Sequence, residues 1–327
     1  MTVAPSRGIP RRELPGGGPT LSLLGVVVDT GPGASAGPGL IERLRQARRA
    51  GVTTFDLADS AHPGPDRWLL SEAFPTPDPE LVVIVGAHAA AEEPIDPSGA
   101  PLPVTLTRVV PPEAEGREAR ALPGTIVIDG PRDRGRPASE SAARAGVGPP
   151  PPARAVRLDP AAESLPPEAG SGLYSGPLSL LDTRLATLLE GQQKSGTRAF
   201  LARDPFAGGR LDGSRFSGSW LEQGPAAGPA SLRSLEVEFA PVLQLEFLTR
   251  GKVRTLAQAA VQYATYHPWV ASVLLPLPSP DRWEEVFSSL DRPPLTSAEV
   301  DRVERRPGAA ASKGTTERLR DSNSPGE

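Results

Sequence analysis

The sequence has no cysteine and no excess of positive charge, and both absences exclude classes of function. Because none of its 327 residues is cysteine, the chain can form no disulfide framework, no thiolate metal site and no cysteine nucleophile. Lysine occurs only at Lys194, Lys252 and Lys313, and the net charge is −4. Nucleic acids and anionic membranes bind basic surfaces, so we expect neither as a partner.

Long apolar runs are also absent. No segment approaches the roughly 20 apolar residues that a membrane-spanning helix needs. Residues 1–19 are rich in proline and glycine and lack the apolar core of a secretory signal. We therefore expect a cytoplasmic protein. With 38% hydrophobic and 23% charged residues, the composition fits a globular domain diluted by 40 prolines and 34 glycines.

Short apolar runs alternate with helical patterns along the chain, which is typical of β/α units in a parallel sheet. Leu21–Val28 is continuously apolar, as expected of a strand buried on both faces. The other predicted strands are Thr53–Leu57, Leu81–Val85, Pro103–Val110, Thr125–Asp129, Arg154–Leu158, Arg198–Ala202 and Val270–Leu275. The predicted helices are Pro38–Ala50, Asp66–Phe74, Asp182–Lys194, Ser231–Thr249, Thr255–Tyr266, Ser279–Leu290 and Ser297–Arg305, the last three with Thr255, Ser279 and Ser297 as N-caps.

The helical pattern weakens between Ala89 and Gly172. Pro131–Pro152 contains at most one frayed helix, Ala138–Ala145, and the prolines that follow show no helical period. We therefore expect some outer helices to be shortened or missing. The domain prediction is a flexible tail over residues 1–20, one domain over 21–305 and a disordered tail over 306–327.

Four segments, taken in order, resemble the aldo-keto reductase family. They are GVTTFDLADSAHPGPDRWLLSEAF (Gly51–Phe74), GTIVIDGPRD (Gly124–Asp133), TRAFLARDPFAGGRLDG (Thr197–Gly213) and TLAQAAVQYATYHPWVASVLLPLPSPDRWEEVF (Thr255–Phe287). Their order and spacing carry the resemblance more than any single motif does. It implies an α/β fold, a (β/α)₈ TIM barrel over Leu21–Arg305, with NADPH bound at the C-terminal ends of the strands.

The resemblance also implies a catalytic Asp, Tyr, Lys and His, of which only the aspartate is kept. The family's tyrosine protonates the substrate, because hydride attack on a carbonyl builds an alkoxide that must be stabilised and protonated. Carried onto this chain, the aspartate falls on Asp56, the tyrosine on Ala61, the lysine on Gly86 and the histidine on Asp129. Neither alanine nor glycine can take the role of the residue it replaces.

The positions that the resemblance assigns to the cofactor have changed as well. The Ser-Asn pair for the carboxamide is Asp159-Pro160, and the Ser-Pro-Leu that opens the dinucleotide loop is Asp204-Pro205-Phe206. A carboxylate near a pyrophosphate is an unfavourable pairing of like charges. Near the adenosine-phosphate site the expected Gly, Arg and Asn are Pro276, Pro278 and Val286.

Four residues remain that could hold a dinucleotide. Arg203 stands where the family often stacks an aromatic or arginine side chain on the cofactor, and Arg282 is a substitute for the missing cation. Gly208 and Gly209 belong to the dinucleotide loop, although a turn alone would explain them. We expect no cofactor to bind tightly, and NADPH if any does.

Two histidines lie close in sequence to lost catalytic positions. His62 and His88 each follow a predicted strand and would form new acid–base partners for Asp56 and Asp129. The alternative is that both are loop histidines with no role. Asp56, His62, His88 and Asp129 are residue types that can bind a metal ion, but nothing in their spacing singles out a metal site. We therefore predict none. His267 is interpreted as structural.

Three functional hypotheses stay open. The chain is a non-redox barrel that binds a small-molecule ligand or a protein partner, or a repurposed biosynthetic enzyme that uses Asp56, His62, His88 and Asp129, or an NADPH-dependent reductase with an atypical proton donor. We favour the first two, because both catalytic and cofactor positions have changed. Missing outer helices would expose barrel surface that a partner, or a second copy in a homodimer, would cover.

Overall fold

Eight parallel strands form a closed barrel in the computed structural model. The model describes residues 8–14, 18–28, 38–57, 69–76, 78–86, 125–129, 153–158, 162, 164–165, 172–192, 199–214, 237–279 and 282–306. In ring order the barrel strands are β3 (Leu24–Val27), β4 (Thr54–Asp56), β5 (Val82–Gly86), β6 (Thr125–Asp129), β7 (Ala153–Arg157), β8 (Leu173–Pro177), β9 (Ala199–Arg203) and β10 (Val270–Pro276). The last strand, β10, pairs with the first, β3. The predicted (β/α)₈ barrel is therefore confirmed.

The helices lie between and after the strands. They are α1 (Pro38–Arg49), α2 (Arg184–Gln192), α3 (Leu256–Tyr266), α4 (Trp283–Phe287) and α5 (Ser297–Glu304), with 3₁₀ turns at Glu246–Leu248, Arg250–Lys252 and Ser288–Asp291. Residues 69–73 and 237–243 are also helical. Among the described residues no helix is long and apolar enough to cross a bilayer.

The single strand predicted over Leu21–Val28 is wrong, because the chain bends at Leu23. Residues Thr20–Ser22 form β2, which pairs antiparallel with β1 (Arg11–Glu13), a strand that the sequence does not predict. Leu23 N–H donates to Pro10 O at 2.7 Å, and its carbonyl accepts from Val273 N–H at 2.8 Å. One residue thus connects the hairpin to the barrel wall.

Apolar side chains fill the barrel interior. Leu14 and Leu21 of the hairpin pack with interior residues of five barrel strands, namely Val82, Ile84, Ala155, Leu173, Ala199, Leu201, Ala271 and Leu274. A larger cluster, which includes Phe55, Leu185 and Trp283, packs the outward faces of the strands against the helices. Residues alternate between the two faces of a strand, so this division identifies which residues at the strand ends face inward.

The structure differs locally from the predictions. The strand β8, with sequence LYSGP, is missed. The predicted strand Pro103–Val110 lies outside the described residues and stays a prediction, and among the described strands β5 pairs directly with β6. Within Ser231–Thr249 the described part is helical at 237–243 and then turns, and within Ser279–Leu290 the α-helix covers only Trp283–Phe287. Predicted positions within Ala138–Ala145 are likewise outside the described residues.

Capping side chains set where two of the late helices begin. Thr255 is the N-cap of α3, as predicted from the sequence, and a reciprocal pair of hydrogen bonds with Gln258 completes a capping box. The same arrangement begins α5, but with Thr296 and Glu299, so the N-cap predicted at Ser297 is wrong by one residue. The N-cap of α4 is Arg282 and not Ser279.

We predict that Gly25→Ala destabilises the barrel by about 1–3 kcal/mol, since overpacking a close contact costs this much. A Cβ at Gly25 would lie 2.8 Å from Leu274 Cδ2 and 3.1 Å from the backbone oxygen of Thr54, which cannot move without disturbing β4. The control is Gly39→Ala, where a Cβ meets nothing within 4 Å. Denaturant unfolding would measure both variants, and equal stabilities would contradict the close packing at Gly25.

Candidate functional site

The C-terminal ends of the barrel strands form a mouth that brings together side chains distant in sequence. Asp56 is the last residue of β4, and Arg203 is the last residue of β9. Asp56 faces the interior because it is in register with Ile84, and Arg203 does so because it alternates with the interior residues Ala199 and Leu201. Barrel enzymes generally carry their active sites at this end.

Asp56 and Arg203 form a buried ion pair across this mouth. Arg203 Nη2 lies 2.5 Å from Asp56 Oδ2, and the two side chains are 10% and 0% exposed. In the ring, β9 pairs with β10, β10 with β3 and β3 with β4, so two strands lie between the partners. The long arginine side chain therefore reaches over the interior to the opposite wall.

Burial makes this ion pair costly to break. Each charge loses hydration on folding, and the attraction between the two charges roughly offsets that loss of hydration free energy. An intact pair therefore adds little net stability. Removing one partner leaves the other charge buried without compensation, which costs about 3–5 kcal/mol. The pair consequently fixes the position of both side chains more than it stabilises the fold.

A second arginine faces the interior at the same end. Arg157 is the last residue of β7, alternates with the interior residue Ala155, and is in register with Ser175. Its side chain is half-buried. Among the described residues of these strand ends, the interior therefore receives two guanidinium groups, Arg157 and Arg203, and one carboxylate, Asp56.

The loop after β9 is held by its own carboxylate. Asp204, Ala207, Gly208 and Gly209 have φ values of 46°, 53°, 66° and 84°, so the two glycines serve a left-handed turn. Asp204 Oδ1 accepts a hydrogen bond from Gly208 N–H at 2.8 Å. Desolvation raises the pKa of the Asp204 carboxyl, and the bond from Gly208 opposes that rise. An amide of the loop is thus already bonded to an anion.

Arg282 is also engaged by neighbouring residues. Its Nη2 lies 2.8 Å from Glu285 Oε2, and its Nη1 donates to the backbone oxygen of Asp212. These bonds join the loop after β9 to the beginning of α4. The arginine thereby acts as a structural link and has a carboxylate beside its charge.

The structure brings together only some of the predicted site residues. Asp56 and Arg203, which the sequence assigns to different roles, are in direct contact. Asp129 is the last residue of β6, while its side chain, His62 and His88 lie outside the described part of the chain. Arg157 was missed, although the alternation along β7 that begins at Ala155 is the pattern that would have found it.

We predict that Asp56→Asn and Arg203→Met each lower the free energy of unfolding by about 3 kcal/mol or more. The double variant should lose clearly less than the sum, because neither partner is then left as an isolated charge. The control is Arg11→Ala, which breaks the exposed Arg11–Glu80 pair with side chains 39% and 47% exposed and should cost less than about 1 kcal/mol. Strict additivity in the double-mutant cycle would show that the two side chains do not interact.

Comparison with solved structures identifies the same fold. An aldo-keto reductase from Bacillus halodurans, in apo and holo forms, is 16% identical over 93% of this chain and 99% of that chain, with a TM-score of 0.59. A thermostable aldo-keto reductase in complex with epalrestat is 13% identical over 90% and 99%, at 0.54, and one from Brucella melitensis is 13% identical over 93% and 98%, at 0.51. No protein-family model and no curated protein matches the sequence. The chain therefore has an aldo-keto reductase-like barrel.

Proposed function

We propose that this barrel does not carry out NADPH-dependent carbonyl reduction and instead binds a small anionic molecule at its mouth. The observation that carries the proposal is the Asp56–Arg203 ion pair, in which Arg203 Nη2 lies 2.5 Å from Asp56 Oδ2. It occupies the interior at the end of the barrel where ligands of this fold bind. Fold alone would favour a reductase, but function depends on the residues of the site.

The ion pair gives Asp56 a role different from the one that the family resemblance implies. There an aspartate pairs with a lysine that lowers the pKa of the proton-donating tyrosine. Here the lysine and tyrosine positions hold Gly86 and Ala61, and the carboxylate contacts Arg203 on the other side of the ring. Arginine stays protonated in proteins, so this pair supplies no proton to an alkoxide.

The residues around the loop after β9 do not fit a dinucleotide. The Asp204 carboxylate takes the hydrogen bond of Gly208 N–H, and its negative charge would repel a pyrophosphate. Arg282, the substitute for the missing phosphate-binding arginine, contacts Glu285 and the Asp212 carbonyl. Arg203 is directed at Asp56. Three of the four residues that remained for NADPH, Arg203, Gly208 and Arg282, are therefore bonded within the chain.

The charges at the mouth favour an anionic ligand. Arg157 on β7 and Arg203 on β9 both face the interior at the ends of their strands. Only β8 lies between these two strands, because it pairs with both. Guanidinium groups bind carboxylates and phosphates by charge-assisted, often bidentate hydrogen bonds. Such a ligand would compete with Asp56 for Arg203, so binding and rearrangement of the ion pair would be linked.

A repurposed enzyme is the second candidate, because a carboxylate buried at the mouth is suited to acid–base work. In this hypothesis Asp56 acts with one or more of His62, His88 and Asp129 on the bound molecule, without hydride transfer. Neighbouring carboxylates and imidazoles shift one another's pKa values and so divide the roles of acid and base. A protein partner at the mouth, and a reductase with an atypical donor and bound NADPH, are the remaining alternatives.

We predict that NADPH binds weakly or not at all, and that Asp204→Ser increases its affinity by removing the negative charge from the loop. Titration of the protein with NADPH, followed by nicotinamide and tryptophan fluorescence, measures both effects. Asp212→Ser is the control, since it removes a carboxylate from the same loop but leaves the Asp204–Gly208 bond in place. Micromolar affinity of the parent protein would overturn the proposal.

If the protein is an enzyme, we predict that Asp56→Asn and at least one of His62→Ala, His88→Ala and Asp129→Asn lower its rate by roughly 10²–10⁴-fold, the usual cost of losing a general acid or base. The variants would be assayed for the activity or phenotype that the intact gene confers, with circular dichroism to check that each is folded. Activity equal to that of the parent in all four would exclude the acid–base enzyme and favour a binding function.

A further inference from the structure

A second cluster of polar side chains lies at the opposite end of the barrel from the mouth. Glu190 lies in α2, Glu304 is the last residue of α5, and His267 is in the turn between α3 and β10. One nitrogen of His267 and one carboxylate oxygen from each glutamate lie within 4.8 Å of one another. Three elements from distant parts of the sequence therefore meet at the N-terminal end of β10.

The two imidazole nitrogens of His267 have different surroundings. Nδ1 lies 3.0 Å from Glu190 Oε1, a hydrogen-bonding distance. Nε2 is buried, has no hydrogen-bond partner among the described residues, and lies 4.0 Å from Glu304 Oε1. When Nδ1 carries the proton and donates it to Glu190, Nε2 has an unshared electron pair and lies 4.0 Å from Glu304 Oε1.

Aromatic packing fixes the imidazole in this orientation. The ring stacks on Trp269 with a centroid distance of 4.6 Å, and Tyr263 and Tyr266 contact it edge-on at 5.1 and 5.6 Å. The His267 side chain is 0% exposed.

The carboxylates of Glu190 and Glu304 lie beside the ring, one near each imidazole nitrogen. Two arginines of this region bond backbone oxygens: Arg12 donates to the carbonyls of His267, Pro268 and Val270, and Arg306 donates to that of Leu180. Tyr263 Oη donates to Glu304 Oε1 at 3.3 Å.

We propose that this cluster binds a divalent transition-metal ion of the zinc class, with His267 Nε2 and Glu304 as direct ligands and Glu190 as the acceptor that orients the imidazole. Imidazole nitrogen and carboxylate oxygen are ligands that zinc accepts. A histidine that binds a metal generally donates its other ring N–H to a carboxylate, and the Nδ1 to Glu190 contact at 3.0 Å has this form.

The distances require only a small adjustment. Two ligand atoms of a tetrahedral ion with bonds of about 2.1 Å lie about 3.4 Å apart, and Nε2 and Glu304 Oε1 are separated by 4.0 Å. Glu304 is 20% exposed and Glu190 47% exposed at the side chain, so the ion can enter and water can complete its coordination. The buried imidazole stays in place while the partly exposed glutamate moves.

A bound ion would serve stability and not the chemistry of the mouth. It would join the turn before β10 to α5, with Glu190 adding α2, at the end of the barrel where structural roles predominate. The inference is independent of the function proposed above, because no residue of the mouth takes part. It also assigns a ligand role to His267, which the sequence indicates only as structural.

Zinc binding to tag-free, EDTA-treated and desalted full-length protein tests the proposal. Calorimetric titration with zinc chloride should give one site per chain, and cobalt(II) should develop visible absorption bands. His267→Phe, which suits the aromatic surroundings, should abolish that site. Glu304→Gln should weaken it at least 100-fold, and Glu190→Gln should weaken it about 10-fold, as loss of an orienting carboxylate does.

Asp301→Asn provides the matched control, because it removes a nearby exposed carboxylate of α5 that bonds Arg305. Its affinity for zinc should stay within about 3-fold of the parent, as expected for screened surface charge. Zinc should also raise the melting temperature of the parent and of Asp301→Asn by a few degrees, but not that of His267→Phe. Absence of saturable binding, or equal affinity in the parent, His267→Phe and Glu304→Gln, would overturn the proposal.

Discussion

The ion pair between Asp56 and Arg203 is the constraint on which the mouth of the barrel depends. Its two charges lie on β9 and β4, with two strands between them around the ring, and both are almost completely buried. A buried charge cannot be left alone without a cost of several kcal/mol, so each side chain determines where the other lies. Any ligand that enters the mouth must either accept this arrangement or supply a better partner for one of the charges.

Asp56 and Arg203 can meet only because the barrel closes in one register. The antiparallel hairpin of β1 and β2 ends at Leu23, where the chain turns into β3 and pairs with β10. The hairpin also contributes Leu14 and Leu21 to the interior cluster. Because apolar side chains fill the rest of the interior, charged groups can face inward only at the C-terminal ends of the strands. Asp56 and Arg203 occupy two of these positions.

The sequence predicts most of the barrel because its strands are short, continuous apolar runs. Phe55, Ile84 and Leu274 lie in segments of this kind, and the predicted strands there agree with the structure. The strand β8 was missed because LYSGP combines glycine, serine and proline, which are typical of turns. Leu21–Val28 was read as one strand because nothing in an apolar run marks the residue at which pairing changes from one sheet to another.

The site was less predictable than the fold, since it depends on which charges meet. The family resemblance drew attention to both Asp56 and Arg203, but their contact follows from barrel closure and from the length of an arginine side chain. The same limit applies to His267, whose partners Glu190 and Glu304 lie 77 and 37 residues away along the chain.

In both places the chemistry comes from residue types that are ordinary by themselves. What distinguishes them is burial next to a partner from another element, because burial strengthens electrostatic interactions that water would screen. The two ends of the barrel therefore differ in what they bury: one holds a pair of opposite charges, and the other gathers carboxylates around an imidazole.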